Sequence, residues 1–437
     1  MKAPEAHSPA LRDHPSRLFV ETTTRCNLGC IMCVKQAQGS GVVEGDLSQT
    51  TFAALAPAFP RLEALVLNGV GEPLLHPRLE EFIHKAKKIM PTEGWVGFQS
   101  NGLFLTNLRA IALVDAGLDR ICLSIDAVSA DMFSRVREGG ELAAIEHALQ
   151  ALDAAKKICA RPNFRIGVEF VLMGSNLHEL PAVLRWAATR GVSFAIVTHF
   201  LPYDARQAGE ALYGTCTDEA VSLFAAWEKR GRAEGIDIRR YPEVRWKYAR
   251  KREEQRIVAM VEEMKREAGR RGIMIDLKKL LARDDRQVGE VAAVFAEAQQ
   301  VAGQTGLELR LPEIIPREKR RCGFVEEGGA FVSWDGGVSP CYFLWHRYQC
   351  FASGWEQQVA PRVFGNLAER GILDIWNDPA FRAFREGVLA YDYPSCAGCS
   401  LAPCDYVQTA AFEQDCHIRN VPCGACLWCT GVFQCLN

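Results

Sequence analysis

Residues 18–33 decide the fold, because a short apolar strand runs there directly into three closely spaced thiols. They read Leu-Phe-Val-Glu-Thr-Thr-Thr-Arg-Cys-Asn-Leu-Gly-Cys-Ile-Met-Cys. The C-x3-C-x2-C spacing puts Cys26, Cys30 and Cys33 on one loop at the carboxyl end of the strand. Thiolates are soft ligands that suit iron–sulfur clusters, and three protein ligands leave one iron of a 4Fe-4S cluster open for chemistry. A zinc site and three incidental thiols are the alternatives.

After this strand, short apolar runs alternate with amphipathic segments of helical length. The short runs indicate buried parallel strands, and the segments between them indicate helices outside the sheet. The sequence therefore predicts an α/β fold, a partial (β/α)6 TIM-like barrel whose active site lies at the carboxyl ends of the strands. The predicted strands are 18–22, 62–68, 95–99, 120–125, 164–173 and 192–200, and clear predicted helices are 108–116, 142–157 and 177–190.

Composition divides the chain into four parts. Residues 1–16 contain prolines and no periodicity, which predicts a flexible tail, and residues 17–204 form the barrel. Residues 205–321 carry 25 Lys and Arg against 20 Asp and Glu, which predicts a charged helical insertion or linker. Residues 322–437 hold eleven of the 17 cysteines. This last part is too poor in apolar segments for a large core, so we expect metal clusters to supply folding free energy.

The charged insertion contains a faint repeat. The tetrapeptides at 235–238, 272–275 and 306–309 each follow a charged segment of helical length. They favour three helix–strand units, and a single solvated helical linker is the alternative.

Composition also excludes several classes of protein. The 437 residues are 48% hydrophobic and 24% charged with a net charge of −2, which predicts no nucleic-acid partner. No apolar run approaches the ~18 residues of a membrane span, and no signal peptide is visible. We therefore expect a cytoplasmic protein with no membrane partner, in which clustered thiols bind metal rather than form disulfides.

The loop with three thiols resembles the signature of the radical S-adenosylmethionine superfamily. The turn Asn68-Gly-Val-Gly-Glu-Pro73 is similar to that family's Gly-Gly-Glu-Pro motif, whereas Met32 stands where the family usually has an aromatic residue. The resemblance implies an enzyme that binds a 4Fe-4S cluster and S-adenosylmethionine. It also implies that reductive cleavage of the sulfonium releases a 5′-deoxyadenosyl radical, which takes a hydrogen atom from a substrate.

Polar residues at the ends of the predicted strands are the candidates for binding S-adenosylmethionine. By resemblance, Glu72 would hold the methionine amine, and period-two alternation would put Ser124 and Asp126 on one face for two ribose hydroxyls. A tight turn and helix capping are the alternatives. His199 is either a substrate-facing or an interior histidine, and no general acid or base is assigned. The candidates are Gly71, Glu72, Ser100, Asn101, Ser124 and Asp126.

The C-terminal cysteines resemble a SPASM domain, a module that binds auxiliary iron–sulfur clusters. Cys322 and Cys341 fit its C-x13-G-x4-C opening, but the later run departs from the module because no cysteine follows four residues after Cys404. We expect two auxiliary 4Fe-4S clusters, which need eight thiolates, with zinc as the alternative. Cys350 and Cys429 are left out of the predicted ligands, which are Cys322, Cys341, Cys396, Cys399, Cys404, Cys416, Cys423, Cys426 and Cys435.

The resemblance also implies partners. Enzymes of this architecture typically modify a protein or peptide, and they need a reductant such as ferredoxin or flavodoxin. The C-terminal pattern is similar to that of proposed maturases of metalloenzymes, including tungsten or molybdenum oxidoreductases. The alternatives are an enzyme that modifies a ribosomally made peptide and, in another class, a non-catalytic iron–sulfur carrier or scaffold.

Overall fold

Six parallel strands form the centre of the molecule and lie side by side in the order of the sequence. The computed structural model describes residues 8–37, 40–409 and 414–436. All six predicted strands are present, so the α/β partial-barrel prediction is confirmed. The strands are β1 (Arg17–Val20), β2 (Ala64–Val66), β3 (Trp95–Ser100), β4 (Arg120–Ser124), β5 (Arg165–Leu172) and β6 (Phe194–His199).

Helices cover the outer face of this sheet and bury their apolar sides against it. The largest is held by buried Ala and Leu residues that recur at helical spacing. Among the described helices, none combines the length and the hydropathy needed to cross a bilayer. The barrel helices are α1 (Gln49–Ala53), α2 (Leu79–Lys87), α3 (Asn107–Asp115), α4 (Ala130–Val136), α5 (Leu142–Ile158) and α6 (Leu180–Ala188).

Residues 216–281 of the insertion form a helical unit with an apolar core of their own, whereas the helix Asp285–Thr305 is buried in the barrel core. Phe224, Trp227, Ile257 and Met264 are among the buried residues of the separate core. The insertion is helical, but it is not a single solvated linker, because one side of its long helices is buried. Only the third predicted strand forms. The elements are α7 (Asp218–Ala233), α8 (Tyr241–Val244), α9 (Arg252–Arg271), α10 (Leu277–Leu281), α11 (Asp285–Thr305) and β7 (Glu308–Arg310).

The cysteine-rich region extends the barrel sheet. Its strand β8 (Gly329–Val332) pairs in parallel with β1, and β7 pairs in parallel with β6 at the other edge. The sheet therefore has ten strands. The remaining elements are α12 (Gly323–Glu326), β9 (Gly337–Ser339), β10 (Tyr348–Ala352), β11 (Trp355–Val359), β12 (Gly365–Asn366), α13 (Ile372–Trp376), α14 (Pro379–Ala390) and α15 (Asp405–Gln408).

The first described residues do not form a flexible tail. Residues 8–16 pack against the cysteine-rich region, with Ala10 fully buried. The carbonyl of Ala10 accepts a hydrogen bond from Arg385 Nε at 2.7 Å, and that of Arg12 accepts one from Trp376 Nε1 at 2.9 Å. Residues 1–7 lie outside the described residues. Pro9, one of the prolines that suggested disorder, instead begins a 3-10 helix, where a missing N–H costs little.

The last described residues enter the inside of the barrel. Leu436 packs there with Phe19 of β1, Phe194 of β6 and Phe331 of β8. The backbone N–H of Gln434 donates to Thr198 Oγ1 on β6 at 3.1 Å. The C-terminal segment thus fills the inner face of the sheet, and only the space above it stays open.

Candidate active site

The loop with three thiols opens into a cavity of about 330 Å³ at the carboxyl ends of the strands. Cys26, Cys30 and Cys33 all line this space, which we call the triad cavity. The loop is anchored on the chain after α4, where the N–H of Ile31 donates to the carbonyl of Val136 at 3.2 Å. Burial raises the pKa of each thiol, that of Cys33 to about 11. A bound cation is therefore needed to keep all three as thiolates, which fits a metal cluster at this place.

The turn after β2 fits closely against this loop. The N–H of Glu72 donates to the carbonyl of Arg25 at 2.8 Å, and the N–H of Gly71 donates to that of Thr23 at 3.2 Å. A Cβ at Gly71 would overlap the carbonyl oxygens of both Thr23 and Arg25. Glycine at position 71 is therefore required for the approach of two backbones, whatever else it contributes to binding.

Glu72 lies on the cavity wall, but its carboxylate is already engaged by the chain. It is 3% exposed. Its Oε1 accepts from Ser100 Oγ at 2.7 Å and from the N–H of Leu74 at 3.0 Å, and its Oε2 accepts from the N–H of Asn101 at 2.7 Å. A carboxylate has about four lone-pair positions, so about one stays available to a ligand. That Glu72 holds an amine stays a prediction. Its hydrogen bonds also fix the turn after β2 against the end of β3.

Ser100, Asn101 and Ser124 line the triad cavity, as the sequence predicted for binding residues at strand ends. Asn101 also donates from Nδ2 to Asn27 Oδ1 at 2.9 Å, which fixes the loop between the first two thiols. Polar groups from three strands therefore converge beside the triad.

The structure does not place Asp126 on the cavity wall. It is fully buried, its Oδ1 accepts from the N–H of Val171 at 2.7 Å, and its Oδ2 lies 2.6 Å from Arg137 Nε. The alternation that put it on the same face as Ser124 fails, because β4 ends at Ser124. Asp126 instead positions Arg137, which sequence reasoning missed.

Arg137 does line the triad cavity, and it lies beside the thiols. Its Nη1 is 4.0 Å from Cys30 Sγ. Burial opposes the guanidinium charge, but the neighbouring carboxylate of Asp126 outweighs burial and raises the pKa of Arg137. A charged guanidinium with free N–H groups suits the carboxylate of a ligand such as S-adenosylmethionine. No motif marks this residue in the sequence, since it follows a helix and lies 107 residues along the chain from Cys30.

Glu21 was also missed, and it ties the barrel to the cysteine-rich region. It is fully buried at the end of β1. Its Oε1 accepts from the N–H of Val70 at 3.0 Å and lies 3.0 Å from His346 Nε2. The motif turn and the C-terminal domain are therefore held by one carboxylate.

Two regions of the chain face each other across the triad cavity. The barrel wall consists of the lining residues between 26 and 169, and it includes Glu169 of β5. Burial raises the pKa of Glu169 to about 7, against the opposing effect of Arg137. The C-terminal wall is mostly aromatic and carries one thiol. It consists of Tyr342, Trp345, Trp428 and Cys435.

Mutual effects on pKa group eight of the C-terminal cysteines into two neighbourhoods. The inner set is Cys322, Cys341, Cys423 and Cys426. Burial is the largest cause that raises the pKa of Cys322, Cys341 and Cys423, and other members of the set add to it, whereas the largest effect on Cys426 is its hydrogen bond with Cys429. In the outer set, burial and then Cys399, Cys404 and Cys416 raise the pKa of Cys396 to about 12. The assignment of these two sets of four to two 4Fe-4S clusters stays a prediction.

Four other residues stand apart from these sets. Cys429 borders the inner set, but its Sγ donates to the carbonyl of Cys426 at 3.1 Å. Cys350 is buried on β10, away from both sets. His199 lies between Tyr213 and Phe295, and burial lowers its pKa to about 3, so it is a neutral interior histidine. Cys435, which the sequence placed among the cluster ligands, lies on the cavity wall instead.

Comparison with protein-family models agrees with this geometry. Residues 20–187 match the radical SAM superfamily, and residues 322–400 match SPASM, described as an iron-sulfur cluster-binding domain. The first match contains the triad and the turn at Glu72. The second contains half of the inner set and half of the outer set, which favours iron–sulfur clusters over zinc there.

Individual relatives extend the likeness over the whole chain. The "Tungsten-containing aldehyde ferredoxin oxidoreductase cofactor-modifying protein" of Pyrococcus furiosus is 27% identical over 432 residues, 96% of each chain. A GTP 3',8-cyclase of Pelotomaculum thermopropionicum is 33% identical over 141 residues, which is 31% of this chain and 42% of that protein. The fold is similar to that of Streptococcus suis SuiB bound to S-adenosylmethionine, with a TM-score of 0.53 and 9% identity over 89% of this chain and 71% of that one.

Proposed function

The chain is a radical S-adenosylmethionine enzyme with a SPASM-type iron–sulfur domain, and we propose that it modifies a protein during the maturation of a metal-cofactor oxidoreductase. Its cofactors are a 4Fe-4S cluster at the triad, S-adenosylmethionine and auxiliary clusters in the C-terminal domain. Membership of this family makes it an enzyme rather than a carrier or scaffold.

One observation carries the proposal. The cofactor-modifying relative matches 96% of this chain, so the match includes the helical insertion as well as the barrel and the cysteine-rich domain. The cyclase relatives match only about a third of the chain. The insertion has an apolar core of its own, so it is a folded part of the enzyme rather than a loop. Two enzymes that share such an insertion are expected to act on the same kind of substrate.

The residues that line the triad cavity support radical chemistry. When bound, the cluster supplies the electron that cleaves S-adenosylmethionine and yields a 5′-deoxyadenosyl radical. The thiols of Cys26, Cys30 and Cys33 would hold that cluster, and Arg137, Ser124 and Asn101 offer hydrogen bonds beside it. The C-terminal wall excludes water from the opposite side, which protects a radical from quenching.

The outer thiol set supports a role for an external reductant. Cys416 is exposed, whereas three of the four cysteines of the inner set are buried. We propose that a ferredoxin or flavodoxin delivers electrons at this surface. The same proposal includes a cytoplasmic location, because such reductants and oxygen-sensitive clusters are found there.

The test uses the reconstituted protein under anaerobic conditions with S-adenosylmethionine and dithionite. A tungsten- or molybdenum-dependent oxidoreductase made without maturation partners is added in one arm and omitted in the other. We expect the oxidoreductase to increase 5′-deoxyadenosine formation about tenfold, together with a mass change in that protein or its cofactor. Equal formation in both arms and unchanged masses would contradict the proposal.

Modification of a ribosomally made peptide is the second candidate. Its support is limited to the resemblance in architecture, because the SuiB likeness concerns the fold. A synthetic peptide encoded beside the gene, added in place of the oxidoreductase, separates the two candidates: only the true substrate acquires a new mass.

A further inference from the structure

Cys435 occupies a position that neither cluster set explains. It lies on the C-terminal segment that enters the barrel, one residue before Leu436, and it lines the same cavity as the triad. Its Sγ accepts a hydrogen bond from Trp428 Nε1 at 3.4 Å. After burial, the thiol of Cys435 is one of the groups that raise the pKa of Cys341 in the inner set. Cys435 therefore lies near the inner set as well as on the wall of the triad cavity.

A second residue of this wall indicates that a ligand lies here. Tyr342 is 8% exposed and lines the triad cavity. Its hydroxyl has no hydrogen-bond partner in residues 8–37, 40–409 and 414–436. Buried hydroxyls normally have partners, so an unpartnered one at a cavity predicts a polar group of a bound molecule. Burial raises the pKa of this hydroxyl, and Cys435, Glu21 and Glu169 add to that effect.

We propose that Cys435 is a catalytic residue that donates a hydrogen atom to a carbon radical formed in the triad cavity. The S–H bond of Cys435 breaks and a C–H bond forms on the substrate, which leaves a thiyl radical on sulfur. One electron from the low-potential reductant and one proton, carried by Glu169 across the cavity, restore the thiol. An S–H bond is weaker than an aliphatic C–H bond, so the transfer to carbon is downhill.

The local structure suits this role. The Trp428 N–H holds the sulfur in place on the wall of the triad cavity. Cysteines that ligate clusters are thiolates and have no hydrogen to give. A donor must therefore be a cysteine outside the two sets of four, and Cys435 is the one of these that lines the triad cavity.

The test needs no knowledge of the substrate, so it is independent of the proposed maturation function. The reconstituted holoenzyme cleaves S-adenosylmethionine with dithionite in D2O, in buffer free of added thiols. The exchanged Cys435 S–D then quenches the 5′-deoxyadenosyl radical and gives 5′-deoxyadenosine with one deuterium. We expect most of the wild-type product to carry deuterium, and at least a fivefold smaller fraction in both Cys435→Ala and Cys435→Ser.

Cys159→Ala is the matched control, because that thiol lies at the end of α5, where it donates to the carbonyl of Ile111, away from the cavity. It should keep the wild-type deuterium fraction. Two readouts do not depend on turnover. Cys435→Ser should keep the wild-type iron content, and S-adenosylmethionine should slow alkylation of Cys435 by iodoacetamide in the wild-type protein.

Two outcomes would overturn the proposal. Deuterium in the product that is unchanged in Cys435→Ser would show that another group quenches the radical. A loss of about four irons per chain in the same variant would show that Cys435 is a cluster ligand.

Discussion

The barrel wall of the triad cavity is polar and its groups are held by hydrogen bonds, whereas the C-terminal wall is aromatic and has a hydroxyl with no partner among the described residues. On the barrel wall, Glu72 alone accepts three hydrogen bonds. On the C-terminal wall, Tyr342 and Trp345 contact each other edge to face at 5.0 Å. The difference indicates that the barrel wall is built for one invariant ligand, the cofactor, and that the C-terminal wall receives the substrate.

The largest expected effect concerns the ion pair behind the barrel wall. Arg137→Met leaves Asp126 buried without its cation, and we expect a loss of about 3–5 kcal/mol in the free energy of unfolding. The double variant Asp126→Asn with Arg137→Met should regain most of that stability in urea titration. Both variants should bind S-adenosylmethionine more weakly, because the guanidinium is absent. Wild-type affinity in the double variant would mean that Arg137 does not hold the cofactor.

The next effect tests the close backbone approach at the motif turn. In Gly71→Ala the added Cβ meets two carbonyl oxygens, and we expect a loss of about 3 kcal/mol in stability together with loss of cofactor binding. Gly303→Ala in α11 is the matched control, since its Cβ meets nothing within 4 Å. The control should gain roughly 0.5–1 kcal/mol, as expected for Ala in a helix. Equal effects of the two substitutions in calorimetry would contradict the account.

A smaller effect is expected at Glu72, where substitution tests whether the carboxylate binds the cofactor or only holds the turn after β2 against β3. Glu72→Gln should weaken S-adenosylmethionine binding by ~1–3 kcal/mol, the scale of a charge-assisted hydrogen bond. Isothermal titration with the reconstituted protein measures this, and urea titration of the same variant measures the bracing, because Glu72 accepts hydrogen bonds from Ser100 and Asn101 at the end of β3. If Glu72→Gln binds with unchanged affinity, Glu72 has only the bracing role.

The smallest effect is a pH dependence carried by Glu169. Its pKa is raised by burial from 4.5 to about 7. Between pH 4.5 and 7 the folded chain binds more protons than the unfolded chain, so the free energy of unfolding falls as the pH rises through this window. Because the side chain is partly exposed to the cavity, we expect about 2 kcal/mol rather than the full shift.

Glu169→Gln should remove that part of the pH slope, whereas Glu141→Gln, an exposed carboxyl on the same domain, should not. Urea titrations of the reconstituted proteins at several pH values measure the difference. An identical slope in wild type and Glu169→Gln would show that Glu169 is not protonated inside the cavity.

The parts of the site that the sequence predicted are local in the chain. The three thiols lie within eight residues, and the turn at Asn68–Pro73 follows one strand, so spacing alone brings their groups together. The six strands were predicted for the same reason, since each is a continuous apolar run.

The parts that were missed depend on contacts between distant segments. Arg137 reaches Cys30, 107 residues away in the chain, only after the barrel has formed, and Cys435 reaches the cavity only because residues 428–436 enter the barrel. The apolar core of the insertion was missed because charge counts do not reveal which side of a helix is buried. Asp126 was misplaced because the two-residue period stops where β4 ends.

The measurement that tests the account most directly is 5′-deoxyadenosine formation by the reconstituted protein with S-adenosylmethionine and dithionite. Its control is the triple variant of Cys26, Cys30 and Cys33 to Ala, with the inner and outer sets intact. We expect 5′-deoxyadenosine from the wild type, none from the variant, and about four fewer irons per chain in the variant. Product from the variant, or none from a fully loaded wild type with its substrate present, would contradict radical chemistry at the triad.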